Sequence, residues 1–214
     1  AATVFNGGFA SNGNSTVGGT LGVSGTVTTA AAVAGITMSE FADDSFGPNL
    51  TMQKSQNATV GSHTVVEDGD IIGSINFQGS DGDEFRTGAV IKAKVIAGVG
   101  NNDMPADLIF GTNAGGTGTT DNVIITAAGK VGVGTATPLS ALHVQGADAA
   151  SSVITVANGA TTVSDGDSLG LYNFFGRDSS TNSVGGMGNI SVTSVGTQND
   201  GSTPTRMVFS THPN

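Results

Sequence analysis

The stretch Glu67-Asp68-Gly69-Asp70-Ile71-Ile72-Gly73-Ser74-Ile75-Asn76-Phe77-Gln78-Gly79 returns roughly 97 residues later as Ser164-Asp165-Gly166-Asp167-Ser168-Leu169-Gly170-Leu171-Tyr172-Asn173-Phe174-Phe175-Gly176. After a slip of about two residues the match resumes. Ile91-Lys92-Ala93-Lys94-Val95-Ile96 is answered by Ile190-Ser191-Val192-Thr193-Ser194-Val195, and Met104-Pro105-Ala106-Asp107-Leu108-Ile109-Phe110 by Thr203-Pro204-Thr205-Arg206-Met207-Val208-Phe209. One unit is written twice, and no catalytic set is kept in both copies. Tandem repetition of this kind suits an elongated structural protein better than an enzyme.

The repeat has little bulk to fold around. Of 214 residues 34 are Gly, aromatics make up 5% and Trp is absent, so a large core within one chain is not expected. Hydrophobic content of 37% nonetheless opposes disorder, because the Val, Ile, Leu and Ala residues fall in alternating runs. The two facts are reconciled by a core shared between chains. Without Cys, neither a disulfide framework nor a thiolate metal site is available. The net charge of −10 disfavours binding to nucleic acid or to an anionic membrane, and no apolar stretch near 18 residues predicts membrane insertion. The chain begins at Ala1 without Met and stops soon after the second copy of the Leu108-Ile109-Phe110 strand, so both ends are expected to belong to a longer polypeptide.

Alternation predicts strands along most of the chain. In Val17-Gly18-Gly19-Thr20-Leu21-Gly22-Val23-Ser24-Gly25-Thr26-Val27 the apolar side chains take odd positions, the pattern of a narrow shaft of parallel-running chains; the alternative is a flexible Gly/Ser linker. Residues 30–41 could hold a short helical turn. Further on, Ile71, Gly73, Ile75 and Phe77 are expected on one buried face of a strand, with Ile72, Ser74, Asn76 and Gln78 on the other. Asp68-Gly69 reads as the turn before it. Ile91, Ala93 and Val95 should point inward, Lys92 and Lys94 outward, and Leu108 and Phe110 should be core, with Val123 and Ile125 continuing the sheet. Thr137-Pro138 has the form of an N-cap and first-turn pair, which predicts one helical turn before Leu142-His143-Val144.

Gly129-Lys130-Val131-Gly132-Val133-Gly134-Thr135-Ala136-Thr137-Pro138, followed by Leu142-His143-Val144, resembles the glycine-valine-glycine connector ending in Leu-His-Val of bacteriophage tail-fibre and tail-spike proteins. The Asp-Gly-Asp units at Asp68 and Asp165, and the Asn102-Asp103-Met104-Pro105 turn, are similar to the β modules that precede that connector. Gly19-Thr20-Leu21-Gly22-Val23-Ser24-Gly25-Thr26-Val27 resembles a fibre shaft repeat. The resemblance implies a parallel homotrimer fixed to the virion at one end, with host recognition or a self-cleaving chaperone domain near the other. Association about a three-fold axis would also cover the sheet edges that such modules expose.

Other chemistries find less support in the sequence. Gly132, Gly134 and Lys130 lack the Gly-Lys-Ser/Thr of a phosphate loop and read as a backbone turn. Asp68, Asp70, Asp81, Asp83 and Glu84 form the densest carboxylate cluster, but not at EF-hand spacing, so solvated turns are expected rather than a Ca²⁺ site. A polysaccharide-cleaving carboxylate pair would need an aromatic-rimmed cleft. His63, His143 and His212 are isolated from one another; His143 should face away from Leu142 and Val144. The sequons at Asn49, Asn57 and Asn189 are expected by chance in a Thr-rich chain.

The expectation is therefore an all-β, elongated homotrimeric fibre of tandem antiparallel modules joined to a Gly-rich shaft. Its parts are a shaft segment over 1–35, a first module over 36–128, a connector over 129–146 and an incomplete second module over 147–214. Candidate core or inter-chain contacts are Leu21, Val23, Ile75, Phe77, Ile91, Val95, Leu108, Phe110, Val131, Val133, Leu142, Val144, Phe174, Ile190, Val192, Met207 and Phe209. No cofactor, metal or catalytic residue is expected. The anticipated partners are two further copies of the chain, other virion proteins and, through a distal domain, a host surface glycan or protein, on an extracellular virion. A secreted bacterial adhesin or surface filament is the alternative.

Overall fold

The computed structural model describes residues 35–41, 43–147, 152–160, 162–177, 184–196 and 204–211, with only the backbone considered at 175–177 and 184–187. The chain divides into two units, Ala1–Thr51 and Met52–Asn214. In the first, the described residues form no helix or strand, so the helical turn expected near 30–41 is absent over 35–41. Gly35 and the neighbouring Ala run supply neither a cap nor an apolar stripe to hold one. The shaft positions Leu21 and Val23 lie outside the described residues.

The second unit is all-β among its described residues. Nine strands form two sheets: β1 (Ile71–Ser80), β2 (Phe85–Val95), β3 (Ala106–Thr112), β4 (Thr120–Ile125), β5 (Val131–Val133) and β6 (Leu142–Val144) in sequence order in one, β7 (Ser168–Arg177), β8 (Val184–Ser194) and β9 (Thr205–Thr211) in the other. Every pairing is antiparallel except β5 with β6. Such a meander needs only short turns, and the turn residues supply them. Gly69 and Gly166 adopt positive φ at equivalent places, where a side chain would be strained.

The two sheets share one register. Ile75 pairs with Ile91 and Ile91 with Phe110; Tyr172 pairs with Ile190 and Ile190 with Phe209. The entry turns agree to the hydrogen bond. Gly69 N–H donates to the Val95 carbonyl and Val95 N–H to Asp70, as Gly166 does to Ser194 and Ser194 to Asp167. Asp70 and Asp167 each accept the backbone N–H three residues earlier, from Glu67 and Ser164, closing the turn.

A bulge in β1 changes one expectation. The pairing passes from Ile71 with Lys94 to Gly73 with Ala93, leaving Ile72 as the extra residue. Ile71 is thereby turned onto the face opposite Gly73, Ile75 and Phe77, because strand alternation is broken by one. Leu169 occupies the same position in β7.

The core within the chain is small and, apart from Val95 and the loop residue Val66, lies on the other face from the one the alternation suggested. Val90, Ile109 and Ile124 are buried there, with Gly111, Gly132 and Pro138. Gly132 has no room for a side chain, since a Cβ would meet the Thr135 carbonyl and the Ile124 side chain. The turn after β5 thus lies directly against the strand. The helical turn expected at Thr137-Pro138 is replaced by bends. Lys130 Nζ takes the Pro138 and Leu139 carbonyls at 3.2 and 3.4 Å, contacts that a helix would have directed along its own axis.

Candidate assembly surface

Backbone parity assigns Gly73, Ile75, Phe77, Ala89, Ile91, Ala93, Val95, Leu108, Phe110, Val123, Ile125, Val131, Val133, Leu142 and Val144 to one face of the six-stranded sheet. Along these positions the face carries no charged side chain; its one charged strand residue is Arg86, opposite Gly79 at the β1–β2 hairpin end. The chain itself closes it at the Val95 end and lies over it at Gly73, against Met52, and leaves the rest open: Val95 is 0% exposed, Phe110 is 38% exposed and Phe77 is 54% exposed. Leu108 and Phe110, expected in the core, are therefore surface residues of the single chain. So are Ile75, Val133 and Leu142. The reason is architectural: the loops after β3 and β5 pack on the Val90–Ile109–Ile124 side, with Thr117 and Thr119 beside Val90 and Thr135 against Gly132, while this face is crossed at Gly73 by the segment around Met52.

The corresponding face of the second sheet holds Gly170, Tyr172, Phe174, Ile190, Val192, Met207 and Phe209. It too is uncharged and open, with Met207 60% and Phe209 73% exposed. The opposite face behaves differently. Its positions Val90, Lys92 and Ser74 become Asn189, Ser191 and Leu171 in the second copy. Apolar character is thus repeated on the face each sheet leaves open, and varies on the face that carries the chain's own core.

Apart from Arg86, the charges of the six-stranded sheet sit on that second face. Lys92 Nζ meets Asp121 Oδ1 at 2.8 Å, while Lys94 pairs in register with Asp107 and Arg206 with Thr193. Within the acidic cluster expected in the turns, Asp70, Asp81 and Glu84 are engaged by local hydrogen bonds and ion pairs. Asp81 Oδ1 accepts the Asp83 and Glu84 N–H groups at 3.0 and 2.9 Å, and Arg86 reaches Asp81 at 3.4 Å and Glu84 at 2.5 Å. The Glu84 amide, then that of Asp83, holds the Asp81 carboxyl below its ordinary value. Asp70 is lowered by its bond to Lys54, 2.6 Å away, and then by the Glu67 amide. Among the described residues no three His, Cys, Asp or Glu side chains gather as a metal site.

Two further expectations are placed by the structure. Gly134 turns with φ +74° against the Gln145 carbonyl, as a backbone turn and not a phosphate cradle. His143 pairs with Gly132 on the face away from Leu142 and Val144, and its Nδ1 accepts the Leu139 N–H at 3.4 Å. No helix among the described residues is long and apolar enough to cross a membrane. His212 lies outside the described residues.

Gly73 and Gly170 belong to the surface for a reason that alternation hides. A Cβ on Gly73 would come within 2.7 Å of Met52, and one on Gly170 within 3.1 Å of the Val156 carbonyl. At both places the chain preceding the sheet crosses its open face, and the signal was the glycine kept in both copies.

No family model matches the sequence, and no curated protein matches it. Among solved structures the chain is similar to the carboxy-terminal domain of the bacteriophage T5 L-shaped tail fibre with its intramolecular chaperone domain, at 12% identity over 75% of this chain and 56% of that one, with a TM-score of 0.37. The chain thus spans little more than half of that structure. It is likewise similar to the carboxy-terminal domain of the same fibre, at 14% identity over 80% of this chain and 83% of that one, again with a TM-score of 0.37.

Proposed function

We propose that the chain is a non-enzymatic structural segment of a virion tail fibre, homotrimeric and built of tandem β modules, which holds a host-attachment region away from the particle. One observation carries this reading: the same predominantly apolar face is left open in both sheets, at the same register. Each large side chain on it gains on the order of 1–2 kcal/mol when covered. A partner that covers both faces must itself repeat at the same spacing. An identical chain running parallel does so by construction, and closed rotational symmetry then protects the sheet edges.

The connector resemblance at Gly129-Lys130-Val131-Gly132-Val133-Gly134 agrees with this reading, and three chains carry three attachment regions on one rod, which raises their effective concentration at a surface. The acidic turns favour no glycosidase. The Asp81 carboxylate accepts the Asp83 and Glu84 N–H groups and faces Arg86, which commits it to closing its own turn. Sedimentation equilibrium tests the assembly: a particle of three times the 21.0 kDa chain mass is expected, and a monomer at every concentration contradicts it.

A further inference from the structure

Residues 152–160 run without a turn, bend or strand partner, across the open face of β7–β9. Within them Val153, Ile154 and Val156 are exposed, and among the described residues the backbone groups of 153–157 form no hydrogen bond within the chain. Ser-Val-Ile-Thr-Val-Ala is a β-prone sequence, and a straight β-prone segment with every N–H and C=O unpaired is an unfinished strand edge. Between it and the sheet lies an apolar cleft of about 300 Å³, bordered by Ile154, Val156, Tyr172, Ile190, Val192 and Met207. The cleft opens to solvent, so its apolar walls stay wet unless another surface covers them.

We propose that a second copy of this chain completes the 153–157 segment, pairing with its backbone as an inter-chain β-strand and closing the cleft with apolar side chains. The inference rests on the self-association proposed above and specifies where the chains exchange backbone hydrogen bonds. The occupant is a copy because the arrangement recurs: the chain entering the first sheet crosses the same face at Gly73, through Met52, as 152–157 crosses at Gly170. A partner must therefore engage two equivalent crossings on one molecule. The face around the cleft bears no charge, so chains of net charge −10 meet there without like charges opposed.

Amide hydrogen exchange of the full chain, read by mass spectrometry together with its sedimentation mass, tests this. In the assembled protein the 153–157 amides should exchange at least about 100-fold more slowly than in an unstructured peptide. Thr155→Pro, which removes a donor, should abolish that protection and lower the assembled fraction, while Thr155→Ala leaves both unchanged. An assembled chain with unprotected 153–157 amides, or a Thr155→Pro variant indistinguishable from Thr155→Ala, overturns the inter-chain strand and leaves the oligomer standing. A protein that is monomeric throughout overturns the oligomer as well.

Discussion

At the residue scale the connector glycines separate two costs. Gly129 and Gly134 both have positive φ, at +77° and +74°, but Gly129 faces open space while a Cβ on Gly134 would strike the Gln145 carbonyl. Gly129→Ala should therefore cost about 1 kcal/mol, the price of the left-handed conformation alone. Gly134→Ala should cost at least about 2 kcal/mol, because backbone must also move. Urea denaturation of the two variants reads the difference, and equal losses would mean that the β5–β6 turn gives way freely. Asp70 sets a pH dependence of definite sign. Its carboxyl is lowered from 3.8 in the folded chain, first by Lys54. The stability it contributes is complete above about pH 4 and is lost as pH falls below that value, through the folded-state pKa. Asp70→Asn should flatten the acid limb of a stability–pH curve, and an unchanged limb would show the Lys54 contact to be idle.

At the scale of elements, adjacent residues of β3 lie on opposite faces with different burial. Ile109 is 2% exposed within the chain and Phe110 lies on the open face. Ile109→Ala should destabilise by about 3 kcal/mol at any protein concentration, since it leaves a cavity inside one molecule. Phe110→Ala should act through association, lowering the melting temperature most where dilution already favours separate chains. Calorimetry across a concentration series distinguishes the two, and matching concentration dependences would refute the division of faces. Alternation in the sequence placed Gly73, Ile75 and Phe77 together correctly, and their cross-strand partners with them. It misassigned Ile71, because the bulge at Ile72 is a property of the β1–β2 pairing that no single strand displays. Thr137-Pro138 misled for a related reason: local cap chemistry was outweighed by Lys130 reaching across the turn to two carbonyls.

At the scale of the whole molecule, the proposed self-association through predominantly apolar faces carries a characteristic salt response. Chains of net charge −10 repel at long range, so association through those faces would work against that repulsion. Raising salt from about 0.05 M to about 0.5 M should tighten assembly by screening the repulsion. Sedimentation velocity reads this directly; assembly that weakens with salt would place the contact on the Lys92–Asp121 face instead.

The sequence by itself determined that the chain is β-rich, that its unit is duplicated, and which side chains share a face, because strand alternation and tandem similarity are local, one-dimensional properties. Only the tertiary structure decided which face is closed by the chain's own loops. Val90, Ile109 and Ile124 carry the same alternating signature as Ile75, Ile91 and Phe110, and nothing in a period of two says which side a distant loop will cover. The crossings at Gly73 and Gly170 belong to the same class: a glycine repeated in two strands becomes meaningful once another segment is seen lying across it, where a Cβ would not fit.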